Sequence, residues 1–343
     1  MWFLTILVLS LPKVQSSGNN SSSCVCMPQQ LCSAFHRNGL VDIRFDQGTC
    51  TNHYEVCCEK PESLKTRKCG LQKGAMGYRI TGSGNVPYFG ELPWSTVLFE
   101  KKDTERIVYK CGGSLIHHRA VITAAHCVDS VTDGQQWTIR VGEWNMKSRD
   151  ELLPHQDRSV SEIVIHEHYR RSSLRNDIAL LILDHPVEIT ENVGFICLPP
   201  PAAPPLTTND VRCIASGWGT DAFQMGKHSS ILKKVELPIV PRDVCLRSLR
   251  STRLGKLYHL HRSFICAGGE HNQDACTGDG GSPLVCPIPG QPGRFQQVGI
   301  VSWGIGCGAN NTPGVYTNVA LYGDWVDTHL ASRSFDTSLY KYH

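Results

Sequence analysis

The chain has 343 residues, enough for two folded units rather than one. Hydrophobic residues make up 41% and charged residues 19%, the balance of a folded protein rather than a disordered one. The formal net charge of +3 is too small to point to nucleic acid or a membrane surface as a partner.

The first element in the chain is a short apolar run over residues 2–12, followed by small and polar residues. It is too short to span a bilayer, and no later segment approaches 18 apolar residues. The reading is a secretory signal peptide over 1–16, cleaved near Gln15–Ser17; the alternative is a buried N-terminal strand. Sixteen cysteines in a secreted chain read as eight disulfides. The zinc alternative fits poorly, because Cys24-x-Cys26 and the adjacent Cys57-Cys58 lack the usual ligand spacing. Three sequons, at Asn19, Asn20 and Asn310, suit an extracellular chain.

Six cysteines crowd into residues 24–58 with the spacing C-x-C-x5-C-x17-C-x6-C-C. So short a unit buries too little apolar surface to fold without covalent staples. Residues 59–79 are polar and rich in Lys and Arg, and read as a protease-accessible linker carrying Cys69. From Ile80 onward short apolar runs recur between turn residues: 95–99, 120–125, 137–142, 160–166, 178–183, 211–217, 297–304 and 314–319. Regular short strands without long intervening helices predict an all-β barrel or sandwich. One helix is expected over 321–333, followed by a C-terminal tail, 334–343. The proline-rich 199-PPPAAPP-205 reads as an extended surface connection.

Four motifs carry chemistry: 123-TAAHC-127, 176-NDIALL-181, 276-CTGDGGSP-283 and 302-SWGIGC-307. In this order and spacing, residues 80–333 strongly resemble the chymotrypsin-like serine proteases. The resemblance implies two six-stranded antiparallel β-barrels with the site between them, and the chain order His, Asp, nucleophile. The cysteine pattern of 24–58 resembles the clip domain of arthropod proteases. Resemblance also implies a complete pairing. In the clip unit it is Cys24–Cys57, Cys26–Cys50 and Cys32–Cys58. In the protease-like domain it is Cys111–Cys127, Cys213–Cys286, Cys245–Cys266 and Cys276–Cys307, with Cys69–Cys197 tying the linker to that domain.

His126 matches the general base and Asp177 the residue that orients it. The nucleophile position is Gly280. Cys276 and Cys286 enclose nine residues, the number in active relatives, so no insertion shifts Ser282 into that place. Ser282 replaces a family glycine and is expected to crowd the turn. Asp274, Gly304 and Gly314 match a trypsin-like pocket for Arg or Lys, kept either as a binding feature or by inheritance. Ile80 and Asp279 match the activation switch, although Thr81 and Ser83 depart from the usual Arg-IVGG junction. Lys65, Arg67, Lys68 and Lys73 are further cleavage candidates.

No cofactor is expected and no metal centre is assigned. The loop 142-GEWNMKSRDELLPHQD-157 resembles the calcium loop of some relatives, with Glu143 and backbone carbonyls as oxygen ligands, but the favoured reading is an ordinary surface loop, with a calcium site as the alternative. The basic stretch 247–262 reads as a solvated face or a contact for an anionic partner. The resemblance implies a secreted, non-catalytic serine protease homologue of the haemolymph. Its role would be cofactor or regulator in an arthropod immune cascade such as prophenoloxidase activation. Expected partners are an activating clip protease and prophenoloxidase, with no nucleic acid and no membrane, and with self-association after cleavage. The rival readings are an active trypsin-like enzyme with an unusual nucleophile and a protein that recognises microbial surfaces.

Overall fold

The computed structural model describes residues 24–28, 55–59, 68–72, 85–102, 107–130, 136–148, 151–201, 211–219, 229–270, 280–305 and 312–342. Several expectations lie outside the described residues: the signal peptide, Asn19, Asn20, Asn310, Cys32, Cys50, Cys276, Cys307, Ile80, Asp274, Asp279 and most of the linker. So do the side chains of Cys24, Cys26, Cys57 and Cys58. The chain divides into two units, 1–62 and 63–343. In the first, β1 (Cys24–Pro28) and β2 (Glu55–Glu59) pair antiparallel, with Cys26 opposite Cys57.

The second unit holds two closed barrels of six strands each. The first is made of β3 (Ser95–Lys101), β4 (Ile107–His117), β5 (Ala120–Thr123), β6 (Trp137–Val141), β7 (Gln156–Ile165) and β8 (Ala179–Leu183). They run in the order β3-β4-β5-β8-β7-β6, and β3 pairs with β6 to close the ring. The second is made of β9 (Arg212–Gly217), β10 (Lys233–Val240), β11 (Phe264–Ala267), β12 (Pro283–Pro287), β13 (Phe295–Trp303) and β14 (Gly314–Asn318). Their order is β10-β11-β14-β13-β12-β9, every pairing antiparallel. Closure leaves no unpaired strand edge, the liability of open sheets.

Each expected strand run forms, with ends shifted by a few residues. Four strands of the barrels were not expected, β4, β10, β11 and β12, and neither were β1 and β2 of the first unit. The physical reason is clearest in β4, whose Gly112 and Gly113 argue against a strand on propensity. Both are required by close packing. A side chain on Gly113 would stand 2.8 Å from the Thr96 hydroxyl, and one on Gly112 would stand 2.0 Å from the Ser282 hydroxyl.

Two α-helices are present among the described residues, α1 (Arg242–Arg250) and α2 (Gly323–Ala331). Only the second was expected. The arginines of α1 hide its apolar pair Cys245 and Leu249, four apart and both buried. The segment after α2 is no loose tail. Tyr340 is buried, and its carbonyl accepts from the Leu198 amide at 2.8 Å. The Tyr342 hydroxyl donates to Gln296 at 2.6 Å. Val326, Leu330 and Tyr340 join the same core as Leu115, Ile122, Ile139 and Leu180 of the first barrel. That cover explains why β8, ALLIL, is buried at every position rather than alternating. Each such fully buried aliphatic side chain stabilises the fold by roughly 1.5–3 kcal/mol.

Candidate functional site

His126 lies on a 3-10 turn, Ala125–Cys127, directly after β5. The disulfide Cys111–Cys127 fastens that turn to β4. Asp177 lies just before β8, fully buried. The strand pairs β5 with β8, so the two residues emerge side by side at one end of the first barrel. Asp177 Oδ1 accepts from the His126 amide at 2.9 Å, and Oδ2 lies 2.7 Å from His126 Nδ1. The Ser302 hydroxyl, from β13 of the second barrel, also donates to Oδ2 at 2.5 Å. Thr317 donates to the Asp177 carbonyl at 2.9 Å. The loop before Asp177 is held by Asn176, in the left-handed region with φ of 56°. Its side chain donates to the His168 carbonyl at 2.7 Å and accepts from the Tyr322 hydroxyl at 2.9 Å.

Burial disfavours a charged His126 ring. The Asp177 hydrogen bond and charge outweigh that, Asp129 adds to them, and the imidazole is raised above its ordinary value. The pair is therefore an oriented, basic imidazole, the first half of a serine protease triad.

The second half is different. Gly280 sits just before β12 of the second barrel, and its carbonyl accepts from the Gly112 amide at 2.9 Å. A β-carbon on Gly280 would stand 2.7 Å from His126 Nε2 and 3.3 Å from Cε1. Position 280 is thus the one that faces the imidazole, and it carries no side chain. The ring stands too close to admit a β-carbon without moving. Ser282 is buried, with its hydroxyl against the backbone of Gly112. The crowding expected of Ser282 is absorbed there, because Gly112 has no side chain to meet it. Between them Gly281 has φ of 80°, and a β-carbon there would stand 2.3 Å from the Thr123 hydroxyl. Glycine alone fits that turn.

Of the other expected residues, Gly304 follows β13 and is exposed, while Gly314 opens β14 opposite Ala267 and is buried. Cys69–Cys197, Cys213–Cys286 and Cys245–Cys266 are disulfides in the structure. Ser302 stands in the motif 302–307, and its role appears only when β13 is placed against Asp177.

Around the linker's Cys69 the backbone is zipped to the domain. The Gly70 amide donates to the Phe195 carbonyl, and the Phe295 amide donates to the Gly70 carbonyl, each at 2.7 Å. The Gln72 amide donates to the Gly293 carbonyl at 3.0 Å.

Among the described residues, two clusters offer metal-ligating atoms. Cys111, His126 and Cys127 form one, but its two sulfurs are bonded to each other. Glu143, Glu151 and His155 form the other, in the loop that resembles a calcium site, with ligand atoms within 4.8 Å of one another. Glu151 Oε1 accepts from the amides of Trp144 at 3.1 Å and Asn145 at 2.7 Å. Glu151 Oε2 is buried with no hydrogen-bond partner. Burial, and then the neighbouring Glu143 carboxylate, push Glu151 up to about 7 against the pull of the two amides. Glu143 is itself shared with Arg140 at 3.1 Å. An orphaned buried carboxylate oxygen beside a second carboxylate is an arrangement that a hard cation completes, so Glu143 and Glu151 fit calcium, while the His155 imidazole is no ligand for it and faces Glu143.

Comparison with known proteins adds to this geometry. Residues 82–326 match the family model described as Trypsin, and residues 13–59 the one described as Serine protease Clip domain PPAF-2. The chain is 44% identical over 285 residues to Phenoloxidase-activating factor 2 of Galleria mellonella, covering 80% of this chain and 92% of that protein. It is 36% identical over 327 residues to Inactive CLIP domain-containing serine protease A28 of Anopheles gambiae, covering 88% and 83%. It is 35% identical over 308 residues to Proclotting enzyme of Tachypleus tridentatus, covering 80% and 78%.

Proposed function

This chain belongs to the trypsin family of serine proteases and carries a Clip domain, and from that premise we propose that it does not cleave peptide bonds. It acts instead as a secreted cofactor or regulator in a haemolymph cascade that activates phenoloxidase. The observation that carries the first part is Gly280. An oriented imidazole faces a position without a hydroxyl, so there is no atom to form the acyl intermediate. Ser282 does not substitute, since its hydroxyl is buried against Gly112. Support for the second part comes from the relative named Phenoloxidase-activating factor 2 and from three relatives named inactive CLIP proteases.

Cleavage acts here as a conformational switch. A cut after Lys73 or Arg79 falls C-terminal to Cys69, so the Cys69–Cys197 disulfide keeps the clip unit attached. A cut after Lys65, Arg67 or Lys68 releases it. Attachment keeps both units acting on one partner at an effective concentration of roughly millimolar. Calcium, held by Glu143 and Glu151, supplies charge neutralisation to the 142–157 loop and no chemistry.

The test uses full-length protein cleaved in the linker, with the new termini identified. No ester of Arg or Lys should be turned over, and an active-site-directed phosphonate should leave the chain unlabelled. Label on Ser282 would overturn the reading. Gly280→Ser with Ser282→Gly should then take up the phosphonate, provided that Ile80 is a free terminus.

A further inference from the structure

The positive charge of this chain is not spread over its surface. Residues 242–262 hold five arginines, one lysine and a single aspartate, a formal +5. The whole chain is +3, so everything outside this stretch sums to −2. The stretch comprises α1 and the loop that leads from it to β11.

Some of its cations serve the fold. Arg242 donates to the carbonyls of Leu260, His261 and Phe264. Arg250 donates to the Tyr258 carbonyl at 2.9 Å, and Arg247 pairs with Asp243 at 2.7 Å. Three others do not. The side chains of Arg253, Lys256 and Arg262 are exposed and make no hydrogen bond or ion pair among the described residues. Arg175 is a fourth, exposed and unpaired in the same way, two residues before Asp177. Arg175 and Arg262 stand on segments that are joined: the amide of the next residue, Asn176, donates to the hydroxyl of Ser263 at 3.3 Å, and their charges both act on His261. Arg253 and Lys256 flank the turn that Arg250 ties to the Tyr258 carbonyl. Like charges held together without counter-ions repel one another, and a partner of opposite sign relieves that repulsion.

A second feature lies inside this basic surface. Leu257 is 89% exposed, far more than any other large apolar side chain described. Its neighbour Tyr258 turns inward against the core of Leu249, Leu260 and Phe264, edge-on to Trp303 with ring centroids 6.2 Å apart, and Leu174 and Leu254 pack on the same core. Leu174 stands three residues before Asp177 and Trp303 directly after Ser302, whose hydroxyl bonds Asp177, so this surface adjoins the segments that hold the His126–Asp177 pair.

We propose that the surface formed by Arg175, Arg253, Lys256, Leu257 and Arg262 docks an acidic polypeptide segment, seating an apolar side chain of that segment on Leu257. The free cations supply steering and register; the exposed leucine supplies the contact that water otherwise covers. A sulfated polysaccharide would match the charge but offers little to an aliphatic side chain, which is why the leucine favours a peptide. The inference does not depend on the loss of catalysis.

The experiment is fluorescence anisotropy with the full-length protein at about 0.15 M salt, where the Debye length is about 8 Å. The probes are a labelled ten-residue Asp/Glu peptide with one central Phe, the same peptide with Ser at that place, and heparin. The Phe peptide should bind and the Ser peptide should bind several-fold more weakly. Leu257→Ser should bring the two peptides together. Arg253→Glu with Lys256→Glu and Arg262→Glu should weaken the Phe peptide by more than about tenfold, or about 1.4 kcal/mol. Lys147→Glu with Lys233→Glu, exposed charges elsewhere, should leave it unchanged. Circular dichroism establishes that each variant is folded. Heparin binding that ignores Leu257, with equal binding of the two peptides, would overturn the proposal in favour of a polysaccharide surface. No binding of either peptide would also overturn it.

Discussion

The two halves of the cleft have fared differently. On the first-barrel side, His126 and Asp177 keep every contact that an active site needs. On the second-barrel side, position 280 carries no side chain, and the nearest serine, Ser282, is buried against Gly112. The difference follows from what each residue does for the fold. The Asp177 carboxylate is buried and satisfies the His126 amide, the His126 ring and the Ser302 hydroxyl, a bond that joins the two barrels. A hydroxyl at 280 would face only the imidazole and the cleft. Losing it leaves nothing unpaired, whereas losing Asp177 orphans three donors.

The largest expected effect tests that contrast. Asp177→Ala should destabilise the domain by roughly 3–5 kcal/mol, because it strands buried polar groups. Gly280→Ala asks only that the His126 ring move by a fraction of an ångström, and should cost under about 1.5 kcal/mol. Urea unfolding of both variants decides it. Equal losses would mean that the pair at 126 and 177 is no more structural than position 280.

Gly112→Ala should come next, at roughly 1–3 kcal/mol, because its β-carbon would stand 2.0 Å from the Ser282 hydroxyl. Ser282→Gly should cancel most of that loss. A double-mutant cycle measures the coupling. Additive losses would mean that Gly112 is required for another reason. This pair also explains why Ser282 is tolerated at all.

The same pair marks the limit of what the sequence discloses. The runs 120–125 and 178–183 are strand-like on their own, and the positions of His126 and Asp177 follow from motifs a few residues long. Strand β4 is invisible because its two glycines are explained only by Thr96 and Ser282, distant in the chain. Helix α1 is hidden by its arginines, and Ser302 acquires a role only when β13 is laid against Asp177. The end of the chain reads as a tail, since nothing local says that Tyr340 is buried against the first barrel. What is legible is local periodicity and spacing; most of what is not depends on contacts between segments far apart in the chain, as Gly112 with Ser282 and Ser302 with Asp177.

A smaller effect concerns the 142–157 loop, where the fold also holds carboxylates without a catalytic purpose. Calcium in the millimolar range should raise the melting temperature by a few degrees, as binding to the folded state alone requires. Glu151→Gln should abolish the rise, and chelation should reverse it. A rise that survives Glu151→Gln would place the ion elsewhere.

The smallest effect compares His126 with a histidine of the same barrel that has no carboxylate bonded to it. His117 is buried and stacks on Phe335 with ring centroids 4.5 Å apart, clamping the segment after α2. Burial pulls it down to about 4 from 6.5; the charges of His118 and Arg119 act in the same direction, and Asp336 opposes them. A histidine lowered on folding stabilises the folded state above its unfolded value of 6.5, and that contribution is lost as the pH falls toward 4. His126 is raised, so its contribution has the opposite sign: full below 6.5 and lost as the pH climbs through its folded value. Between pH 7 and 5 the loss at His117 should be at most about 2 kcal/mol, less where solvent screens the ring, and most of it should be removed by His117→Gln. Imidazole resonances followed by NMR should therefore titrate in opposite directions from the free-histidine midpoint, His117 below it and His126 above. If both midpoints fell on the same side, the Asp177 carboxylate would not be what distinguishes the two rings.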